Sequence, residues 1–442
     1  MNSDSLWVAL AIGVIAAAGM AGKAAALEVV AEEDVYTFVN PDNGSGPLWS
    51  YGCTVVGRIS EEVFASQMET GEGVPRLCNT RWRLLRRGEG DWRCIAEADG
   101  YHQREPCPLA VTSAGTLLLN VNDSTQPPGT LYGPCEPGLL EFNAEGKQLT
   151  RLAPAWAGAP YFTDHSYRGY AMDAKRDEVL MMNIDAKTSV EHCCLLSRSG
   201  ETLATSSITY PIRACYPQVA LIDRAVHVMA IGDIVEPVEE WRQYKFEQTQ
   251  RKWDYVFRIL YYTWTPKIGK EPFAEPIELA NVDDTAGFIS NQDLWIGPDG
   301  RVFVMYTEQE VHHAFMRDKF FPGKSLIPSL HLAVIEQGKV VARRVLIEGN
   351  DARQPGGARF HETPKGEVYA VVYVNGEDGG NKLLRILPED PSGELVPIPL
   401  AKPMSSFCLA TVRAGNAPSN TIDIFGHTAG NTMSYAQVKL AE

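Results

Sequence analysis

One pattern recurs seven times along the 442 residues: a short strand-like run, a small turn, a strongly apolar run, then a further hairpin. The openings are Trp49–Val56, Glu105–Val111, His165–Ala171, Cys215–Leu221, Asn291–Ile296, Ala358–Glu362 and Ser406–Val412. Apolar second runs include Thr116–Val121, Glu178–Asn183, Ala225–Ala230, Arg301–Tyr306 and Glu367–Tyr373. Outer runs are read at Trp82–Leu85, Leu139–Phe142, Cys193–Leu196, Arg258–Thr263, Leu330–Ile335, Lys382–Ile386 and Ser434–Val438. Most are followed by turn residues such as Asn143-Ala-Glu-Gly146 or Gln337-Gly338. A strand-built repeat of about 40–50 residues buries its faces only against neighbours of its own kind. The pattern therefore predicts an all-β chain, a seven-bladed β-propeller. Leu27–Val39 precedes the first repeat and is expected to pair with the last one, which removes open sheet edges.

Two stretches break the repeat. Residues 236–253 are charged and carry Trp241 and Trp253, and residues 308–325 hold His312, His313 and Phe320-Phe-Pro-Gly323. Both are read as insertions into the one propeller, which is placed at 27–442. Residues 1–26 read as a targeting segment: Leu6–Ala21 is apolar and Ala24-Ala-Ala26 has the small-residue spacing of a cleavage site. The expectation is a signal peptide, or else an uncleaved membrane anchor. The folded part is then secreted or periplasmic, with no membrane span once the signal is removed. A net charge of −15 excludes ordinary nucleic-acid binding, which needs a basic face.

Nine cysteines in an exported chain permit disulfides. Cys53, Cys107, Cys215 and Cys408 fall at similar places on the openings, so bridges Cys53–Cys107 or Cys53–Cys408 are conceivable. The preferred reading is small apolar residues at a crowded axis. Cys193 and Cys194 follow His192, a weak zinc pattern without a C-x-x-C spacing. No cofactor is called for, although a structural Ca²⁺ or Zn²⁺ is compatible with the fold.

Propeller sites gather where axial strands begin and second strands end. The first group holds Trp49, Tyr51, Arg104, Glu105, His165, Tyr167, Arg168, Arg213, Tyr216, Asn291, Asp293, Arg359 and His361. The second holds Asn122, Asp123, Asn183, Asp185, Asp233, Glu236, Glu308, Asn375 and His427. Asp164-His-Ser-Tyr-Arg-Gly169 and Tyr210-Pro-Ile-Arg-Ala-Cys-Tyr-Pro217 concentrate His, Tyr and Arg on adjacent repeats. Those residue types suit proton abstraction beside a uronic carboxylate. Arg neutralises the carboxylate, His or Tyr takes the proton, and a second group protonates the departing oxygen. Glu105 is read as a catalytic carboxylate or, more simply, the ion-pair partner of Arg104. The competing reading, less favoured, makes Tyr167 and Tyr216 axial packing residues and His165 a turn cap.

The chain resembles the BNR-repeat, sialidase-like propeller superfamily, with degenerate Asp-box turns at Arg87-Gly-Glu-Gly-Asp-Trp92 and Ser197-Arg-Ser-Gly-Glu-Thr202. Its blade number is similar to that of seven-bladed ulvan-type polysaccharide lyases, which use His, Tyr and Arg at the pore mouth. The resemblance implies His165, Tyr167, Arg168, Arg213 and Tyr216 as catalytic residues. Arg168 and Arg213 would hold the carboxylate, His165 would act as base, and Tyr216 or Tyr167 as acid. Trp49, Tyr51, Arg104, Glu105, Asn291, Asp293, Arg359 and His361 would bind the substrate.

The leading expectation is a monomeric lyase of an acidic poly- or oligosaccharide. A sialidase-like hydrolase is the alternative within enzymes. It would draw its arginine clamp from Arg104, Arg168, Arg213 and Arg359. A non-catalytic carbohydrate- or protein-binding propeller, using Trp49, Tyr51, Trp241 and Trp253 as stacking surfaces, is the alternative outside them.

Overall fold

The structure is a computed structural model. It describes residues 27–50, 52–377, 379–390 and 392–441. The expected targeting segment 1–26 and Tyr51 lie outside the described residues.

Seven four-stranded antiparallel sheets follow one another along the chain and pack face to face around an axis, so the fold is a seven-bladed β-propeller. Blade 3 shows the rule. Its strands are Gly169–Asp173, Glu178–Ile184, Glu191–Ser197 and Thr202–Ile208, in that order from the axis outward. Successive side chains point to opposite faces of a strand. Val179, Met181, Cys194 and Leu196 therefore pack toward blade 2, while Leu180, Met182, Cys193 and Leu195 pack toward blade 4. Both faces are buried, which is why these strands read as continuous apolar runs instead of alternating ones. Each fully buried Leu or Val contributes about 1.5–3 kcal/mol. The outermost strands face water on one side and carry polar residues, as in Lys339–Ile347.

The ring closes as the sequence suggests. Leu27–Thr37 is the outer strand of blade 7 and pairs antiparallel with Thr432–Leu440, from Leu27 opposite Leu440 to Thr37 opposite Thr432. The other strands of that blade are Ser406–Leu409 and Thr421–His427.

The inner strand of blade 7 is only four residues long. The chain then leaves the sheet and crosses the axis. Met172 N–H donates to the Arg413 carbonyl at 2.8 Å and Val111 N–H to the Ala414 carbonyl at 2.8 Å. Gly415 permits this path. Its φ is +81°, and a Cβ there would lie 1.9 Å from the Val111 carbonyl oxygen. Arg413 fills the axis, donating to the Gly52 and Val219 carbonyls and to Asp293 at 2.5 Å. On the far face, where inner strands end, a cavity of about 610 Å³ is lined by Val111, Met172, Ile222, Ile296 and Val412.

Both insertions rise from ends of second strands, on the face where inner strands begin. Residues 236–253 contain helix α1, Glu239–Thr249, and residues 308–325 contain helix α2, Ala314–Phe320. Trp241 meets Phe321 edge-on at 5.3 Å, and Tyr244 meets Phe320 at 5.5 Å. Under α1, Glu236 is fully buried and is satisfied by Arg258 and by Lys245, the latter at 3.3 Å. Among the described residues no helix is long and apolar enough to cross a membrane.

Neither bridge considered from the sequence forms. Cys53 donates to the Arg168 carbonyl at 3.4 Å and Cys408 to the Phe425 carbonyl at 3.6 Å. Cys193 and Cys194 point to opposite faces of their strand, so they cannot share one metal ion. Among the described residues no three His, Cys, Asp or Glu side chains are placed to hold a metal.

Candidate active site

The mouth of the propeller is built where blades 2, 3 and 4 begin their inner strands. Before blade 2, Arg104 is fixed by its own neighbourhood: its Nε and Nη2 donate to the Asn43 carbonyl at 3.0 and 2.9 Å. Its carboxylate partner is Asp164 at 3.5 Å. Its remaining Nη1 donates to His165 Nδ1 at 2.5 Å. Nδ1 is then the acceptor, and the neutral imidazole carries its proton on Nε2. Nε2 lies 2.9 Å from the Tyr167 hydroxyl, which donates in turn to Asp233 Oδ2 at 2.8 Å.

Arg213 closes the array. It is ion-paired to Asp233 and donates to the Tyr167 oxygen at 3.3 Å. Its guanidinium sits over two rings, 5.6 Å from the centre of Tyr167 and 5.1 Å from that of Tyr255. The groups thus form one directed chain: Arg104 to His165 to Tyr167 to Asp233, with Arg213 bracing the last two.

Tyr216 adds an aromatic wall. Its ring meets Tyr167 edge-on at 5.2 Å and Trp49 edge-on at 5.6 Å. Local sequence sets this up. Pro217 has no N–H for the ladder, and the pairing slips between Cys215 and Gln218. The bulge puts Tyr216 at φ +49°, a left-handed conformation that costs energy in a non-glycine residue. The Asn291 amide holds it there, donating to the Tyr216 carbonyl at 2.7 Å.

Electrostatics follow from these contacts. Burial and then the positive charges of Arg104 and Arg213 push the His165 imidazole down to about 3, so it is neutral in the neutral pH range. Burial, with nearby Asp233, holds the Tyr167 phenol far above its ordinary value, so it is a protonated donor. Burial raises Glu105 against the lowering effect of Arg168, Arg104 and Ser166.

The structure brings Arg104, His165, Tyr167, Arg213, Tyr216 and Trp49 together. It places other expected residues elsewhere. Arg168 follows Tyr167 in an extended chain, so its side chain points the opposite way. It is 4% exposed and donates to the carbonyls of Asn120 at 2.9 Å and Pro106 at 2.6 Å. It braces blades and does not face the mouth. Glu105 lies buried beneath the mouth, its Oε1 3.8 Å from His165 Nδ1, and pairs with Arg168 at 3.9 Å and with the Ser166 hydroxyl at 2.6 Å, so it is not the ion-pair partner of Arg104. Asp293 pairs with Arg413 on the axis, and Arg359 donates to the Ala358 carbonyl at 2.8 Å and to the Gln292 carbonyl. His361 is buried with Nε2 on the Ser419 carbonyl at 2.7 Å. Asn291 positions Tyr216 from beneath. Asp233 and Tyr255 belong to the mouth without having been given a role. Asp233 carried a signal, a carboxylate directly after the apolar run Ala225–Gly232, whereas Tyr255 lies just past the 236–253 insertion, in the short strand Tyr255–Val256, and carried none.

No family model matches the chain, and no curated protein matches it. Solved structures do match in fold. An ulvan lyase bound to -[GlcA(1-4)Rha3S]- superposes with a TM-score of 0.54 at 8% identity, covering 93% of this chain and 96% of that one. The polysaccharide lyase Uly1 gives 0.48 at 9% identity, covering 94% of each chain. An α-L-arabinanase of Penicillium chrysogenum complexed with arabinobiose gives 0.44 at 11% identity, covering 93% and 98%. At these identities the ulvan lyase supports the fold alone, and the other two carry no argument.

Proposed function

We propose that this protein is an exported enzyme that cleaves a uronate-containing polysaccharide by β-elimination. The observation that carries the reading is the hydrogen-bonded chain Arg104–His165–Tyr167–Asp233, braced by Arg213, at the propeller mouth. Elimination needs a cation against the carboxylate, a base for the proton on the adjacent carbon, and an acid for the departing glycosidic oxygen. Arg104 and Arg213 stand on either side of the His–Tyr pair and supply positive charge. A carboxylate accepts from Arg more strongly than an imidazole does. A bound uronate draws the Arg104 guanidinium from Nδ1, frees that lone pair as the base, and raises its basicity by adding a negative charge nearby. Tyr167, held protonated, donates to the leaving oxygen. To do so its hydroxyl turns from Asp233 toward the substrate, and Arg213, which donates to the phenol oxygen, stabilises the charge left on it. Tyr216 and Trp49 offer ring surface to the sugar. The ulvan-lyase fold likeness is consistent with this reading.

Hydrolysis by a carboxylate pair is less well supported. It needs two available carboxyl groups flanking the bond. The mouth carboxylates Glu105, Asp164 and Asp233 are at most 3% exposed, and each is already bonded to an Arg or Ser partner.

The test is incubation with a panel of uronate polymers, followed by ultraviolet absorbance and reducing-end assays. The expected result is a product with a new conjugated double bond, lost in His165→Ala. New reducing ends without the double bond would identify a hydrolase. Saturable binding without any product would identify a binding propeller.

A further inference from the structure

The 236–253 insertion stands on a two-strand stalk. Ile234–Val235 pairs antiparallel with Tyr255–Val256, and the ladder runs on where Glu236 N–H donates to the Asp254 carbonyl at 3.1 Å. Side chains alternate along such a chain. Val256 is buried, and Asp254 turns under α1 to pair with Lys245. Trp253 and Tyr255 leave on the other side, where they are 74% and 40% exposed. Rings left in water contribute little to folding. Both are apolar in body and polar at one end, which suits a partner that is itself part apolar and part wet, as a sugar ring is.

Two observations say what would cover them. The first is continuity with the mouth. The Arg213 guanidinium lies over the Tyr255 ring, 5.1 Å from its centre, and the same guanidinium donates to the Tyr167 oxygen at 3.3 Å. Tyr255 therefore begins where the mouth array ends. The second is charge. Arg251 and Lys252 directly precede Trp253, and both are exposed. The acidic groups beside them in sequence are engaged elsewhere: Glu247 accepts from Gln243 at 3.4 Å, and Asp254 pairs with Lys245. On a chain of net charge −15, two adjacent exposed cations are a local exception that favours an anionic partner.

We propose that residues 251–255 are a subsite for the continuing acidic polysaccharide. The Tyr255 and Trp253 rings stack on sugars that follow the uronate held in the mouth, and Arg251 and Lys252 attract the next anionic groups. The inference rests on the reading of the mouth as a uronate site and gives the polymer a direction, from the mouth out over the stalk. A short fragment fills the mouth alone, whereas a longer one reaches the rings as well. Binding gathered away from the reacting bond then helps hold the uronate in place.

The test is calorimetric titration of full-length Tyr167→Phe protein, slowed in turnover, with oligosaccharides of polygalacturonate, alginate and hyaluronan graded from disaccharide to decasaccharide. Affinity within at least one series should rise by about tenfold from disaccharide to hexasaccharide. Adding Trp253→Ala or Tyr255→Ala should each remove most of that gain, and Trp253→Ala should melt near its parent because the ring is in water. Tyr255→Phe keeps the ring and should keep the gain. Exchanging both Arg251 and Lys252 for Gln should flatten the salt dependence of hexasaccharide binding. Equal affinity along every series, no binding to any of them, or ring variants that bind hexasaccharide as tightly as their parent overturns the proposal. The lyase reading fails separately. If wild type makes no double-bond product while the length-dependent affinity and its loss in the ring variants are seen, the subsite is upheld and elimination is not.

Discussion

Arg213–Asp233 at the mouth and Arg413–Asp293 on the axis are the same ion pair in two settings. The axial pair is closed. The Arg413 side chain is 8% exposed, and it also donates to two carbonyls from other blades. Asp293 accepts from the backbone of Leu294 and Phe360 as well. The mouth pair has an equally buried aspartate, but its arginine is 30% exposed and leans on two aromatic rings and a tyrosine hydroxyl. One arrangement ties elements together and is shut away from solvent. The other holds a polar group in place at a surface that water and substrate can reach. Composition alone does not separate them; the neighbours of the arginine do.

The comparison can be broken by substitution. Arg413→Met leaves Asp293 as an orphaned buried charge, and removing one partner of a buried pair costs about 3–5 kcal/mol. Urea unfolding should show that loss, and an unchanged midpoint would show that the axial pair does not hold the ring. Tyr167→Phe should lower turnover on a uronate substrate by about 10²–10⁴-fold, with an unfolding midpoint near that of wild type. A large loss of stability with unaltered turnover would make the mouth array structural like the axial one. Arg104→Gln removes one of the positive charges holding the His165 imidazole down near 3. The imidazole pKa should rise toward its ordinary value in an NMR titration, because a positive neighbour disfavours the protonated form. No movement would mean that burial and Arg213 set it without Arg104. The smallest effect is expected from Arg301→Ala, whose exposed pair with Asp299 spans 2.7 Å. Such surface pairs contribute less than about 1 kcal/mol.

Much of the architecture was legible in the sequence because the inner strands of a blade are buried on both faces. Glu178–Ile184 and Ala225–Gly232 stand out as apolar runs between turns, and the closing strand Leu27–Thr37 had no partner within its own repeat. The inner strand of blade 7 was harder to bound. Ser406–Val412 reads as one strand, but the ladder ends at Leu409 because the chain turns across the axis. At the mouth, residue type found the right neighbourhood and side-chain direction sorted it. Tyr167 and Arg168 are adjacent and equally suited to catalysis on paper, and the alternation of an extended chain sends one to the mouth and the other between blades. Arg359 and His361 lie on the inner strand of blade 6, where His361 is buried and Arg359, half-buried, is held by the Gln292 and Ala358 carbonyls. The Arg413 plug was not anticipated, since a lone arginine beside Gly415 carries no pattern to mark it.

The seam of the ring has a consequence for how the molecule is made. Residues 27–37 are translated before any blade exists, yet their ladder partner, 432–440, is translated after all the others. The earliest strand must wait, unpaired, through the synthesis of six complete blades. Until the last stretch arrives the assembly is an open arc whose two end blades each leave an apolar face uncovered. An arc of this kind can be completed by the waiting strand of a second molecule as readily as by its own. Crowded nascent chains therefore face a choice between a closed monomer and strand-exchanged assemblies, and it is made at this single seam.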